Sequence, residues 1–369
     1  MNTSLTRWKE AATVILAAGH RLRSSFDYDV LLLKRSSKSG FLPNAYVFPG
    51  GLLDSSDFSN EWLDVFSSFT NFPHFGLGRV KQPVETRPPV FATDRLKLGS
   101  RVPGEVAFRI CALRETFEES GVLLVVSKAE ETSLLQSMKE GCVSDHVARA
   151  RLCGSSELTK WKALVNENPF NFLRMCRELQ LLPNIWALHE WSNWLTPSSR
   201  SGRRFDTAFF MCCLREIPYT SQDEKEIVHI KWATPSEILH RFRAQELWIA
   251  PPQFYELSRL CHFPLLKDLH SFSGQRATEG CERWHPVIVK DTHVFSLLPG
   301  DKHYPQGGSE ETVADRGVRH AEDHHGEDSS LHRIMILDSY TLTVQVTITP
   351  KYKHLLPVAE PMFPMNGQL

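Results

Sequence analysis

Short apolar runs divided by polar stretches predict most of the strands in this sequence. Residues 11–19 and 28–34 are two such runs, joined by a charged stretch, and they predict a first pair of strands. Strand character returns in four later segments, 122–126, 184–195, 204–214 and 225–232. Alternation of apolar and polar positions over 332–352 predicts a β-hairpin towards the end of the sequence.

A helical pattern begins at Glu105. The apolar positions that follow recur at steps of three and four, which puts them on one stripe of a helix: Val106, Ile110, Leu113 and Phe117. Gly121 is suited to end this helix in a left-handed conformation. Residues 129–181 are predicted to be mostly helical, and a further helix is expected to start after Thr234 as its cap.

Composition and charge narrow the classes of function. The chain has 369 residues and a formal net charge of −1, so neither a nucleic-acid backbone nor an anionic membrane is favoured as the main partner. No apolar run approaches the roughly 20 residues needed to span a bilayer. The eight cysteines form no Cys-x-x-Cys pair, which argues against a zinc site and suits a reducing compartment.

Residues 114–122, RETFEESGV, place three carboxylates close together. Glu115, Glu118 and Glu119 lie three or four positions apart, so their side chains share one face of the predicted helix. Crowded carboxylates repel one another unless a cation intervenes, and hard ions such as Mg²⁺ prefer oxygen ligands of this kind. The alternative for an isolated trio of this spacing is a solvated, glutamate-rich helix face.

The flanks of the trio resemble the Nudix box, Gly-x5-Glu-x7-Arg-Glu-U-x-Glu-Glu-x-Gly-U, where U is a bulky aliphatic residue. RETFEESGV fits the second half of the box, although Thr116 stands at an aliphatic position. Gly50 and Gly51 in VFPGG fit the first half, and a long insertion at about 52–104 separates the two halves. We expect this insertion to shape a lid or an acyl pocket.

Two residues compete for the first glutamate of the box. Asp57 stands six positions after Gly51, as the pattern requires, but it is an aspartate. Glu105 stands at the start of the predicted helix, where its charge suits the helix dipole. We favour Glu105 and expect Arg114 to pair with it, while Asp57 stays the alternative.

Residues 31–51, LLLKRSSKSGFLPNAYVFPGG, resemble a coenzyme A signature found in some Nudix hydrolases. The matching positions are Leu31, Leu32, Arg35, Ser36, Phe48, Pro49, Gly50 and Gly51. The departures are Leu33, Gly40, Asn44 and Tyr46, so the frame is kept and some specificity positions are changed. The resemblance favours Arg35 as a substrate contact, with Lys34 as a second basic candidate, while Gly50 and Gly51 allow close approach of the backbone.

The Nudix resemblance implies an α/β fold: an α/β/α sandwich with a mixed sheet, a long insertion inside the box, a helical insertion and a C-terminal extension. The expected domains are a Nudix domain at 8–245 with insertions at about 52–104 and 129–182, a helical extension at 246–299, a flexible segment at 300–330, and a C-terminal β-hairpin and tail at 331–369.

The resemblance also implies a metal-dependent attack of water on a diphosphate. Glu115, Glu118 and Glu119 are the expected ligands of Mg²⁺ or Mn²⁺, and Arg114, Glu105 and Gly121 are expected to hold the box together. Glu115, Glu118 and Glu226 are the candidate catalytic residues. Nudix enzymes often take the base from a later loop just ahead of a strand bearing Trp, and Glu224 is a neighbouring alternative there.

For coenzyme A and its acyl esters, the products would be 3′,5′-ADP and 4′-phosphopantetheine or its acylated form. The alternatives are the same chemistry on an RNA cap or a dinucleotide, and a Nudix-fold binding module without catalysis. Further candidates for contacts with such a substrate are Arg203, Arg204, Trp186, Trp191 and Trp194, the last three as a groove for pantetheine or acyl groups.

The expected partner is this small-molecule substrate, with no stable nucleic-acid partner, no membrane span and a monomeric chain. The resemblance implies a peroxisomal location, but the final Gly-Gln-Leu is not a standard peroxisomal signal. Cytosol and mitochondrion are therefore the alternatives.

Overall fold

The computed structural model describes residues 8–20, 25–139, 156–199, 202–222, 226–290, 293–305 and 330–358. The strands are β1 Lys9–Gly19, β2 Tyr28–Arg35, β3 Tyr46–Val47, β4 Gly50–Leu52, β5 Val125–Ser127, β6 Leu181–Pro183, β7 His189–Leu195, β8 Phe205–Leu214, β9 Ile227–Ala233, β10 Arg283–Trp284, β11 Val287–Lys290, β12 Val294–Leu297, β13 His332–Ile336 and β14 Leu342–Val346. The α-helices are α1 Trp62–Val65, α2 Pro89–Ala92, α3 Gly104–Ser120, α4 Lys128–Lys139, α5 Ser156–Glu167, α6 Phe170–Glu178, α7 Pro235–Arg243, α8 Pro251–Leu260 and α9 Leu266–Arg276. Short 3₁₀ helices lie at Ser55–Phe58, Pro73–Gly76, Arg95–Leu98 and Ile185–Ala187.

The central sheet is mixed and has the order β10-β7-β8-β1-β2-β3, with β4 paired to β1 and β9 paired to β2. Strand β1 runs parallel to β8 over almost its whole length. Its other edge is shared, because β4 pairs with residues 11–13 and β2 with residues 17–19. Because β4 and β2 share this edge of β1, the glycines of β4 lie at the centre of the sheet, over one end of α3.

Helices cover both faces of the sheet, which confirms the predicted α/β/α sandwich. On one face, the buried side of α3 packs with Ala12, Val14 and Leu16 of β1 in a single apolar cluster. On the other face, residues of α7, α8 and α9 pack against Ile15 and Ala17. Alternation along β1 sends successive side chains to opposite layers.

The insertion at 52–104 is built of short helical turns that join the core beside α3. Its apolar side chains Trp62, Phe66, Phe69 and Phe91 are buried in the same cluster as α3. The helical insertion is present as α4, α5 and α6, and residues 140–155 lie outside the described residues. The predicted strand at 122–126 is extended only at its end, where β5 pairs with β6.

A second, four-stranded antiparallel sheet contains the predicted C-terminal hairpin, β13 and β14, and has the order β11-β12-β13-β14. The prediction of a helical extension at 246–299 is wrong at its end, because residues 287–297 supply β11 and β12. Val287, Val289, Phe295 and Leu297 alternate and are buried together, which favours strands.

Helices α8 and α9 confirm the earlier part of that extension, while the predicted domain boundaries stay predictions. Thr234 caps α7 as expected, since its hydroxyl accepts the Glu237 N–H at 3.2 Å. Most of the segment predicted to be flexible, residues 306–329, lies outside the described residues. Within the described part of the chain, no helix has the length and apolar character that a membrane span requires.

Candidate active site

The two halves of the box meet where β4 passes over the C-terminal half of α3. The Gly50 N–H donates to Glu119 Oε2 at 2.9 Å. A Cβ at Gly51 would come within 2.5 Å of the Glu115 carboxylate, and one at Gly50 within 2.3 Å of the Ala12 carbonyl oxygen. Gly50 therefore leaves no room for a side chain against the backbone of β1, and a side chain at Gly51 would displace the Glu115 carboxylate.

Gly121 ends α3 in the left-handed conformation predicted for it, with φ 74°. A Cβ there would lie 2.7 Å from Ser221 Oγ. The Ser221 N–H donates to the Ser120 carbonyl at 2.8 Å, which ties the end of α3 to the loop before β9. The turn of the chain at Gly121 therefore fixes the position of the last turn of the helix.

Arg114 lies at the centre of a group that we name the cavity cluster: Asp57, Arg114, Glu115, Glu118 and Glu119. Its guanidinium donates to both oxygens of Asp57, from Nε at 2.9 Å and from Nη2 at 2.8 Å. Its Nη1 lies 2.9 Å from Glu115 Oε1 and 2.8 Å from Glu118 Oε1. One cation therefore contacts three carboxylates, and the fourth, Glu119, is held by the Gly50 N–H.

The predicted pairing of Arg114 with Glu105 is wrong. The two residues are nine positions apart on a helix, a separation of about 14 Å along its axis at 1.5 Å per residue. Asp57 takes the place expected for the first acidic residue of the box, and the side chains of Arg114 and Asp57 are only 2% and 1% exposed. The sequence held the signal, since Asp57 has the spacing from Gly51 that the box requires.

Glu105 belongs to a second group, at the other end of α3, that we name the closed cluster: Arg87, Glu105, Arg109 and Glu190. Arg87 donates to both oxygens of Glu190 at 3.0 and 2.8 Å and lies 3.4 Å from Glu105 Oε2. Arg109 Nη2 lies 3.7 Å from Glu190 Oε1. His74 also contacts the Glu105 carboxylate. Two guanidinium groups balance two carboxylates, and all four residues are buried.

Burial is the largest cause of the pKa shifts in the cavity cluster, and the neighbouring carboxylates add to it. Burial raises the pKa of Glu115, and Arg114 opposes this shift only in part. Burial and the neighbouring Glu115 raise the pKa of Glu118 to about 8. Burial and Glu115 also raise the pKa of Glu119 well above its ordinary value, although the Gly50 N–H acts in the opposite direction. Added positive charge would stabilise the ionised form of all three side chains.

The donors of the cavity cluster suit a hard divalent cation, because they are carboxylate oxygens with an excess of negative charge. Within the ranges that the structure describes, no three acidic, histidine or cysteine side chains are already gathered as a metal cage. Arg114 lies between Glu115 and Glu118 and holds one oxygen of each. The residue types therefore fit a cation, and the second oxygen of each carboxylate is not held by Arg114.

A cavity of about 920 Å³ borders Glu115, Glu118 and Glu119. Of the other predicted site residues, Arg35, Gly50, Gly51 and Glu226 line it as well. Arg35 is held by Ser39 and by the Phe41 carbonyl, and its Nη2 lies 3.8 Å from Glu226 Oε2. These contacts bring Arg35 and Glu226 together at the wall of the same cavity.

Other predicted contacts are placed elsewhere. Lys34 is not part of the wall, and its ammonium lies over the Tyr46 ring at 5.9 Å from the ring centroid. Neighbouring residues of a strand point to opposite faces, which separates Lys34 from Arg35. Arg203 lines the cavity and Arg204 does not. Glu224 lies outside the described residues.

Of the three tryptophans considered for a groove, only Trp194 lines the cavity. Trp186 donates its indole N–H to the Phe75 carbonyl in the core beside α3. Trp191 is buried in the core on the opposite face of the sheet. The aromatic cluster is therefore divided between the two layers of the fold.

Two polar residues of the cavity wall near the three glutamates, Asp54 and Asn166, were missed by the sequence reasoning. Asp54 caps the turn that carries Asp57, since its Oδ1 accepts the Ser56 N–H at 2.8 Å. Asn166 of α5 donates to the Glu118 carbonyl at 3.3 Å and brings the helical insertion to the site. A capping box at 54–57 was a local signal for Asp54, whereas nothing local pointed to Asn166.

The predicted lid or acyl pocket in the insertion is not seen. Residues 52–54 line the cavity, and none of residues 55–104 does. The apolar side chains of that segment pack into the core beside α3 instead. Burial of its many aromatic residues there explains why the insertion does not cover the cavity.

Comparison with known proteins agrees with this geometry. A model of the NUDT19 Nudix domain matches residues 8–260, and a model of the NUDT19 C-terminal domain matches residues 287–347. Relatives named acyl-coenzyme A diphosphatase NUDT19 are 47% identical in Xenopus laevis and 48% identical in Gallus gallus, each over 97% of both chains. The Homo sapiens relative of the same name is 39% identical over 95% of both chains. The chain belongs to the NUDT19 family of Nudix proteins.

Proposed function

We propose that this chain hydrolyses the diphosphate of coenzyme A and of acyl-coenzyme A esters, giving 3′,5′-ADP and 4′-phosphopantetheine or its acylated form. The observation that carries the proposal is the cavity cluster, in which Arg114 and three glutamates border a cavity of about 920 Å³ while Asp57 holds Arg114 from behind. The names of the relatives support this choice of substrate. The size of the cavity is within the range of about 300–1,000 Å³ that is usual for small-molecule sites.

Glu115, Glu118 and Glu119 are the proposed holders of Mg²⁺ or Mn²⁺. A divalent cation bound there supplies neutralisation of the diphosphate charge and polarisation of the phosphorus–oxygen bond that breaks. Arg114 and Asp57 join α3 to the turn after β4, so that the three carboxylates keep their relative positions. Gly50 and Gly51 let the backbone of β4 lie against Ala12 and the Glu115 carboxylate, so β4 is held beside the proposed cation-holding side chains.

Arg35 is the proposed contact for a phosphate of the substrate. Its Nε donates to the Phe41 carbonyl at 3.0 Å and its Nη2 to Ser39 Oγ at 2.8 Å, so the guanidinium is oriented before a substrate binds. A planar guanidinium suits bidentate recognition of a phosphate. Arg203, an exposed residue of the cavity wall, is a second cation that a nucleotide phosphate would meet.

Glu226 is the proposed base that takes a proton from the attacking water. Its side chain is 68% exposed and lies 3.8 Å from Arg35, within the cavity wall. Glu226 is not one of the proposed cation ligands. Its carboxylate can therefore approach a water beside the diphosphate while Glu115, Glu118 and Glu119 hold the cation. Glu115 is the alternative base, and Glu226→Gln separates the two: a loss of kcat without loss of cation binding supports Glu226.

The test of the function is a product analysis with purified protein and either Mg²⁺ or Mn²⁺. Coenzyme A, acyl-coenzyme A esters, NADH, ADP-ribose and capped RNA are supplied in parallel to wild type and to Glu118→Gln. We expect 3′,5′-ADP from coenzyme A and its esters with wild type only. Faster hydrolysis of another nucleotide would favour that substrate, and no hydrolysis of any would favour a binding module.

The monomeric state and the peroxisomal location stay predictions from the sequence. Light scattering on the purified chain tests the first. Imaging of the full chain, tagged at its N-terminus, tests the second against cytosol and mitochondrion.

A further inference from the structure

The wall of the cavity changes character away from the carboxylates. Phe205, Thr207 and Phe209 alternate along β8 and all line the cavity, so one face of that strand forms part of the wall. This face belongs to the apolar cluster on the side of the sheet opposite α3, which includes Phe209 and Trp194. The cavity therefore extends from the charged end of α3 to an apolar layer.

The second sheet supplies another part of this apolar wall. Ile288 of β11 and Ser296 of β12 are directly paired across the two strands, so their side chains share one face of that sheet, and both line the cavity. Val287, Val289 and Phe295 point to the other face, where they form a cluster of their own. Ile288 is only partly buried, because its face of the sheet is open to the cavity.

Trp194 is a fixed element of the same wall. Its indole N–H donates to Glu256 Oε1 at 2.7 Å. Its ring packs edge to face against the Trp284 ring, with 4.8 Å between the ring centroids. Glu256 is fully buried and also accepts from Trp191 and Ser192, at 2.7 and 2.6 Å. Since the indole N–H is already used, what Trp194 offers to the cavity is apolar ring surface.

One polar side chain in this wall is not satisfied by the protein. Gln253, in the first turn of α8, lines the cavity and is 8% exposed. Among the described residues, its Oε1 is buried and has no hydrogen-bond partner. The end of a glutamine side chain rotates over a broad range, so the carboxamide of Gln253, whose oxygen has no partner among the described residues, can turn that oxygen towards a ligand. An amide oxygen of this kind in an apolar wall suits a chain whose amide N–H groups can donate to it.

We infer that the region bounded by Trp194, Gln253 and Ile288 holds the pantetheine arm and the acyl chain of the substrate, which rests on the proposed function. The arm is a flexible chain with two secondary amides, and Gln253 pairs with one of them. The acyl chain lies against the apolar surfaces of Trp194 and Ile288. Ile288 of the C-terminal sheet thereby limits the length of acyl chain that the site accepts.

The test of Ile288 is a substitution that fills the region, Ile288→Trp, with Lys290→Trp as the matched control. Lys290 is on the same face of the same strand but is exposed and lies outside the cavity wall. The kcat/KM values of wild type and both variants are measured with free coenzyme A and with esters of six and twelve carbons. We expect Ile288→Trp to lose about tenfold or more on the twelve-carbon ester relative to free coenzyme A, and Lys290→Trp to keep the wild-type ratio.

Ile288→Ala keeps the inference falsifiable should the larger side chain disturb folding, because it enlarges the region and is expected to raise the preference for long esters. Equal ratios of kcat/KM in wild type, Ile288→Trp and Ile288→Ala would overturn the role of Ile288. No release of 3′,5′-ADP by wild type from any ester is a different result, which would overturn the proposed function and this inference together.

The test of Gln253 uses the two halves of the substrate as inhibitors. Gln253→Leu is expected to weaken inhibition by 4′-phosphopantetheine about tenfold and to leave inhibition by 3′,5′-ADP at the wild-type level. The same variant should raise KM for coenzyme A and change kcat little. Unchanged inhibition by 4′-phosphopantetheine would overturn the assignment of the pantetheine arm to this region.

Discussion

Two groups of charged side chains, one at each end of helix α3, differ in balance and in surroundings. The closed cluster near its start pairs two guanidinium groups with two carboxylates inside the protein. The cavity cluster near its end has one guanidinium for four carboxylates and borders open space. Buried carboxylates that are balanced serve the fold, whereas an excess beside a cavity keeps raised pKa values until a proton or an added cation compensates it.

The largest expected effect is on activity, from Glu119→Gln in the cavity cluster. Loss of one carboxylate from a cation site removes several kcal/mol of transition-state stabilisation, so kcat/KM should fall about a thousandfold. The free energy of unfolding should stay constant or increase, because a repulsive charge is removed. Steady-state kinetics and urea unfolding, measured on one preparation, check both parts. A variant with full activity would contradict the role of the cavity cluster.

The opposite pattern is expected from Glu190→Gln in the closed cluster. This change leaves Arg87 and Arg109 without the carboxylate that both contact. Breaking a buried ion pair costs about 3–5 kcal/mol, which should appear as a lower free energy of unfolding in urea. Folded protein, assayed well below the midpoint of thermal unfolding, should retain kcat/KM close to wild type. A thousandfold loss of activity with unchanged stability would contradict the division between the clusters.

A comparison of Asp57→Asn with Glu105→Gln tests which of the two acidic residues supports activity. Asp57 orients Arg114, which in turn holds Glu115 and Glu118, so Asp57→Asn should lower kcat/KM about 10- to 100-fold. Glu105→Gln should change kcat/KM by less than about threefold, since Glu105 contacts none of the cavity cluster. Steady-state kinetics of both variants give the kcat/KM values to compare. A larger loss of kcat/KM for Glu105→Gln than for Asp57→Asn would show that Glu105 is the first acidic residue of the Nudix box.

The smallest expected effect is a pH dependence beside the closed cluster. Burial lowers the pKa of His189 to about 3, and His270, Arg109 and Arg276 add to the shift. Between the unfolded pKa of about 6.5 and the folded value, the unfolded chain binds the extra proton, so stability falls on acidification by about 1.4 kcal/mol per pH unit. Above pH 6.5, His189 is neutral in both the folded and the unfolded chain, so it causes no loss of stability there.

His189→Asn should remove the contribution of His189 to the change in the free energy of unfolding with pH. Urea unfolding of wild type and variant at intervals from pH 7.5 to pH 5 gives the free energies to compare. The difference in free energy between wild type and variant should become smaller as the pH falls. A difference that does not change with pH would show that His189 does not contribute as described.

The parts of the molecule that the sequence predicted are those set by local pattern. The period of Val106, Ile110, Leu113 and Phe117 is enough to define α3, and the spacing of the three glutamates is enough to place them on one face of it. The cap at Thr234 and the strands β1 and β2 follow in the same way from residues close in sequence. Helical and strand periods do not depend on distant contacts.

Contacts between distant segments decided the rest. The pairing of Arg114 with Asp57 crosses the insertion, and the preference for Glu105 gave more weight to its place on the helix than to the spacing from Gly51. The role of the insertion was missed because burial of Trp62 and Phe66 beside α3 leaves no local period. The wall formed by Ile288 comes from a second sheet, which the sequence pattern did not connect with the cavity.

The most direct test of the difference between the clusters is a titration with Mn²⁺ followed by electron paramagnetic resonance. Wild type, Glu119→Gln and Glu190→Gln are compared at neutral pH and at a temperature where all three are folded. The cavity cluster as a cation site predicts that Glu119→Gln binds Mn²⁺ at least about tenfold more weakly, while Glu190→Gln binds like wild type. Equal binding by wild type and Glu119→Gln, or a loss of binding confined to Glu190→Gln, would contradict it.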